Sequence, residues 1–307
     1  RAEFVVTDSF HAMLFSVLFN KPFIVIGNRK RGIIRFISFL NSIGLEERLV
    51  SDTSSITLEL INKSVDWELV NNKIFSLRRK SINFLMGTII LSYDYEIFFG
   101  DKSGTIEKTL IVPTNFLLNK MDELEIKGNF FIDYLMLKYL RKVDTERTNR
   151  DIQLIETQIK DIVRRGHRIE LHLHPHWIDA QYNGDGTWNF QNYTHYALSS
   201  LGESVVINMF KEGTAYLNNL AQEVEPGYTI CAFRAGGWAI QPFHKIKKGF
   251  LEANIKIDSS ISYGAYGKNQ YSYFDFLDAP NKVMYRFEDD VCNEVADGRF
   301  CEIPISS

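Results

Sequence analysis

The sequence predicts an α/β protein built in two blocks. Short apolar runs alternate with helical patterns, and polar or ionisable residues gather just after many of the apolar runs. A length of 307 residues also fits two domains better than one. In folds of this class the working residues sit at the carboxyl ends of the strands. Hydrophobic residues make up 45% of the chain and charged residues 24%, which excludes disorder as the dominant state. The formal charge of −3 excludes a broadly basic face, so no nucleic-acid partner is expected.

The first block opens with a short strand over 4–6 and a helix over 9–19, capped by Asp8 or Ser9. Lys21-Pro22 breaks that helix, and Phe23–Ile26 reads as a buried strand. Helices follow over 31–42, stopped near Gly44, and over 65–85.

The second block starts near residue 86 with a strand, Thr88–Tyr93, ending in Asp94-Tyr95-Glu96. A helix or broken helix over 106–124 accommodates Pro113 near an end, and Gly128–Asp133 is the next strand. The helix over 148–165 carries Ile152, Ile155, Ile159 and Ile162 on one stripe, and Gly166 ends it. Then come a strand over 169–173, a helix over 202–223, a strand over 228–234 and a helix over 242–253. Short strands over 255–257 and 302–305 complete the pattern.

Three strand ends carry the chemistry. Asp94 and Glu96 are spaced i, i+2, so in extended chain both point into one pocket. One carboxylate can bind a metal while the other acts as a base. The stretch Glu170-Leu171-His172-Leu173-His174-Pro175-His176-Trp177 holds three of the seven histidines. His172 and His174 share a strand face, and His176 can fold back beside His172 after Pro175. Neutral imidazoles suit a divalent metal, zinc first among them. Arg234, in Phe233-Arg234-Ala235-Gly236-Gly237-Trp238, ends a strand where its guanidinium can brace a carboxylate bidentately. Together these describe metal-assisted hydrolysis, with two histidines and one carboxylate on the metal and a second carboxylate taking a proton from water. The aromatic content of 13% fits a filled core, and it also fits sugar stacking. Trp177, Trp188 and Trp238 are the candidate sugar platforms, with the Tyr182–Trp188 turn as a substrate rim.

These residues resemble the polysaccharide deacetylases of carbohydrate esterase family 4 over roughly 86–307. Ser92-Tyr93-Asp94-Tyr95-Glu96 looks like that family's acidic motif, Gly166-His167 with His172 and His176 like its histidine motif, and Phe233–Trp238 like its arginine motif. Lys127–Phe131 and Asp258-Ser259-Ser260 are lesser matches. The resemblance implies a distorted (β/α) barrel, incomplete at its end. It also implies Asp94 as base, Glu96, His172 and His176 as metal ligands, and Arg234 as the residue orienting Asp94. The sequence departs from the family at three places. Tyr95 separates the two acids and Glu96 replaces an aspartate. His174 makes His172 with His174 a second option for the ligand pair. The family's late general-acid histidine has no counterpart by Glu302-Ile303-Pro304, and His195 and His244 are not obvious replacements.

Residues 1–85 are similar to the C-terminal part of polysaccharide pyruvyl transferases, through Val6-Thr7-Asp8-Ser9-Phe10-His11, Phe19–Phe23 and Arg35-Phe36. This implies a partial Rossmann-like α/β segment, with Ser9 and His11 near a helix N-terminus as an anion site. The expected activity is thus removal of acetyl groups from an N- or O-acetylated sugar in polysaccharide metabolism. The alternatives are a non-catalytic carbohydrate-binding domain and a pyruvyl transferase. Three scattered cysteines give no disulfide framework, and no run is long enough to span a membrane. The first residues lack the order of a secretory signal and begin without Met, so a cytoplasmic fragment of a longer protein is the expectation.

Overall fold

The computed structural model describes residues 3–27, 33–84, 89–100 and 102–306. The chain divides into two compact units, Arg1–Ile89 and Ile90–Ser307. The block boundary read from the sequence, between residues 85 and 86, lies outside the described residues, as do the ends of the predicted elements at 31–32, 85 and 88.

Unit 1 runs β1 (Val5–Thr7), α1 (Phe10–Leu18), β2 (Phe23–Ile26), α2 (Ile33–Ile43), β3 (Leu49–Val50), α3 (Leu58–Asn62) and α4 (Trp67–Phe84). Its three strands pair in the order β1-β2-β3, all parallel. Ser9 is the α1 cap, its hydroxyl accepting from the Ala12 amide at 3.4 Å. Met13, Val17, Phe23, Val25, Phe36, Leu40 and Val70 form its core.

Unit 2 begins with β4 (Leu91–Tyr95), a single π-type turn, α5 (Val112–Glu123), β5 (Gly128–Asp133), α6 (Tyr134–Val143), α7 (Glu146–Arg164) and β6 (Arg168–Leu173). Pro113 sits in the first turn of α5, where its missing N–H costs no bond. The sequence reading missed α6. Asp133 is at once the last residue of β5 and the helix cap, so no breaker separates the two elements. In α7 a capping box of Thr145 and Thr148 sets the start, and the Ile152, Ile155, Ile159 and Ile162 stripe is buried.

The hairpin β7 (Gln181–Tyr182) and β8 (Trp188–Asn189) leads to α8 (Glu203–Gln222), β9 (Ala232–Ala235), α9 (Lys247–Glu252) and β10 (Ile257–Asp258). The remainder is β11 (Tyr266–Lys268), β12 (Tyr273–Asp275), β13 (Tyr285–Phe287) and β14 (Phe300–Glu302). The strand expected from 228 starts only at Ala232 because side chains take the earlier backbone groups. The Ile230 amide bonds Asn218, the Cys231 amide bonds Glu170, and the Tyr228 hydroxyl bridges the backbone of Ile169.

Seven strands form one sheet in the order β13-β14-β10-β9-β6-β5-β4, parallel except for β13 against β14. Among the described residues β4 and β13 are its open edges, and no closed barrel is formed, where the resemblance implied a distorted barrel short of its last elements. The register separates two faces. Tyr95, Ile132, Leu171 and Phe233 align across the strands on the helix-covered face, where Tyr95 bonds Gln158 and Phe233 packs on Phe210 and Phe250. Asp258 and Glu302 continue that same row, side by side and fully buried. Asp133, His172 and Arg234 align on the opposite face.

Candidate metal centre

Period-two geometry brings the predicted strand ends together on that second face. The Glu96 carboxylate lies 3.0 Å from Nε2 of His172 and 2.9 Å from Nε2 of His174. One ligand atom from each of Glu96, His172 and His174 lies within 4.8 Å of the others. The Nδ1–H of His172 donates to the Arg234 carbonyl at 2.7 Å. That bond fixes the ring and aims Nε2 at Glu96, as partners of metal-bound imidazoles do.

His176 is not among the three side chains that converge here. A 3-10 turn, Pro175–Ile178, carries it past the strand face. His176 instead stands behind His174, with the two Nδ1 atoms 3.2 Å apart. One of the two must donate. With the proton on His174, its Nε2 keeps a lone pair for a cation. Burial and the neighbouring His174 hold the His176 pKa down at about 2, so this ring is neutral.

Opposite charges meet at this group. Burial opposes the charge on Glu96, but His174 and His172 outweigh it and hold the carboxyl well below the usual range. Burial also opposes the charge on His172, yet Asp94 and Glu96 lift it to about 9. Two imidazoles and a carboxylate are a donor set that zinc and related ions accept.

Arg234 is buried and lies over the Phe131 ring at 4.2 Å. Its Nη1 donates to Asp94 at 2.9 Å, Nη2 to Ser92 at 2.7 Å and Ser259 at 3.0 Å, and Nε to the Ser259 carbonyl at 2.8 Å. The predicted bidentate brace is therefore a single bond to Asp94, because the serines take the other nitrogens. Asp94 itself stays open to solvent. Beneath the histidines, fully buried Asp133 accepts from Trp177 Nε1 at 2.6 Å and from the His174 amide at 3.3 Å. Burial pushes its carboxyl up to about 6.

Two of the three predicted sugar platforms are not available to a sugar. Trp177 is completely buried, tied to Asp133 and packed edge-on against Trp188 and Phe190. Trp188 is only 3% exposed. Trp238 is half-buried against Phe274 and remains accessible. The Tyr182–Trp188 rim is a tight hairpin closed by Asp185 on Thr187. In unit 1 the Ser9 hydroxyl is occupied as a cap, and His11 is exposed on α1 beside Phe10.

The sequence reading also missed an aromatic wall. Phe99 lies 4.5 Å from His174 and 4.4 Å from His176, and Phe190, Tyr193 and Tyr196 complete the enclosure. Tyr271, at the tip of the β11–β12 hairpin, reaches Tyr193 at 6.3 Å. The paired glycines after Arg234 have a specific reason. A Cβ on Gly236 would stand 2.5 Å from the His174 ring, and one on Gly237 would collide with Tyr196. Only glycine lets both rings rest on this backbone.

A family model for polysaccharide pyruvyl transferase matches residues 1–30, within unit 1. No curated protein and no solved structure matches the chain. No described helix is long and apolar enough to cross a membrane.

Proposed function

We propose that unit 2 is a metal-dependent hydrolase that removes acetyl groups from an N- or O-acetylated sugar. The convergence of Glu96, His172 and His174 beside an arginine-held Asp94 carries this reading. A divalent cation held by those three side chains, zinc first among the candidates, would polarise the acyl carbonyl. Asp94, solvent-facing and oriented by Arg234, takes a proton from the attacking water and returns it to the leaving nitrogen or oxygen. Trp238 and the Tyr193–Tyr271 pair are the aromatic surfaces offered to a sugar ring.

The family match at residues 1–30 favours a second reading, in which the parent protein is a polysaccharide pyruvyl transferase. One experiment separates the two. The purified chain, offered zinc, should hold about one metal per chain by elemental analysis, and the His172→Ala/His174→Ala double variant should hold none. A wild type without metal that binds phosphoenolpyruvate, with binding lost on His11→Ala, would move the function to the second reading.

A further inference from the structure

Tyr196 lies on the loop between β8 and α8, far in sequence from every motif at the metal centre. Its ring stacks on His176 at 5.5 Å with an interplanar angle of 24°, and stands edge-on to His174 at 6.2 Å. The His174 ring rests on Gly236 and the Tyr196 hydroxyl rests on Gly237. Consecutive residues of one backbone segment thus seat a metal-ligand candidate and a phenol side by side. The neighbouring Tyr193 spends its hydroxyl on the Phe99 carbonyl at 3.2 Å. The Tyr196 hydroxyl makes no hydrogen bond to any described residue. Half-buried and seated on Gly237 beside His174, this unspent donor is placed to meet a substrate oxygen.

We infer that Tyr196 is a catalytic residue that donates a hydrogen bond to the oxyanion formed when water adds to the acyl carbonyl. This rests on the hydrolase reading above. As the water oxygen bonds the acyl carbon, one water proton passes to Asp94 and the carbonyl electron pair moves onto its oxygen. Tyr196 holds that oxygen without giving up its proton. The carbonyl then re-forms, the bond to the sugar nitrogen or oxygen breaks, and the Asp94 proton leaves with the sugar.

The test uses the whole chain loaded with cobalt(II), with acetate as the probe of negative oxygen, read by the visible cobalt spectrum. Wild type and Tyr196→Phe should bind cobalt equally. Acetate should bind the variant about tenfold more weakly, the loss of one hydrogen bond to a charged oxygen. With 4-nitrophenyl acetate, kcat should fall while KM holds. Gly237→Ala, which pushes the phenol off its seat, should weaken acetate in the same way. Equal acetate affinity and equal kcat in Tyr196→Phe would overturn the inference and leave the hydrolase reading standing. Loss of cobalt from Tyr196→Phe would make Tyr196 a structural support of the ligands and overturn its catalytic role. A wild type that binds no cobalt would overturn both.

Discussion

Both units stack helices on a parallel sheet, yet they treat charge differently. Among the described residues, unit 1 buries one ionisable side chain, Arg48, whose guanidinium is spent on the carbonyls of Leu60 and Lys63. Unit 2 buries Asp133, His172, His174, His176, Arg234, Asp258 and Glu302, among others. Burying ionisable groups opposes stability unless each finds a partner. In unit 1 the partners are backbone, and the result is structure. In unit 2 several of the partners are themselves ionisable, as with Glu96 on His172 and His174 and Arg234 on Asp94, and such clusters are where functional sites are sought. The family match and the converging side chains therefore fall on different units.

The contrast can be attacked first through Arg234. Lysine cannot hold Asp94, Ser92 and Ser259 at once. Arg234→Lys should lower hydrolysis of an acetyl ester about a hundredfold, because the base loses its position. Metal content by elemental analysis should stay at the wild-type level. Undiminished turnover would show that Asp94 needs no brace.

A smaller effect concerns the Asp258–Glu302 pair. Burial, and then the charge of Asp258, push the Glu302 carboxyl well above its ordinary value of 4.5. Burial likewise raises Asp258. Glu302 Oε2 has no donor among the described residues, and a proton held between the two carboxyls supplies one. A pKa raised in the folded state stabilises fully below the unfolded value and loses that contribution as pH climbs toward the folded value. The melting temperature of unit 2 should therefore fall as pH rises above about 4.5 in the wild type. Glu302→Gln, which stays neutral, should flatten that slope, with its gain over wild type greater at pH 9 than at pH 5. Each kcal/mol of difference corresponds to about 2–4 °C in a unit of this size. Parallel pH profiles for the two proteins would remove the shared proton.

The smallest effect belongs to unit 1. Thr57 caps α3 by accepting from the Leu60 amide at 3.1 Å. Thr57→Ala should cost unit 1 about 1 kcal/mol in denaturant unfolding and leave metal content untouched. A loss of metal in this variant would break the separation drawn between the units.

Much of the site was legible because strands have a fixed period. Asp94 with Glu96, and His172 with His174, share faces by alternation alone, and Arg234 closes a run of strand-forming residues. His176 falls outside the Glu96–His172–His174 group because a turn, not a strand, carries it. Trp177 and Trp188 read as sugar platforms because aromatic type is visible in a sequence while burial is not. Phe99, Asp133 and Tyr196 carried no signal, since each owes its place to partners dozens of residues away.

By itself the sequence determined the α/β alternation, the helix stripes and stops, and which polar residues follow strands. These depend on periodicity and on caps within a few residues. The tertiary structure alone decided that the sheet stays open, that His174 and not His176 joins Glu96, that Asp258 and Glu302 lie side by side, and that the Tyr196 hydroxyl is left free. The open sheet and the Asp258–Glu302 pair follow from strand order and register, the place of His176 from the turn after Pro175, and the Tyr196 hydroxyl from loop packing on Gly237, none of which a local pattern encodes.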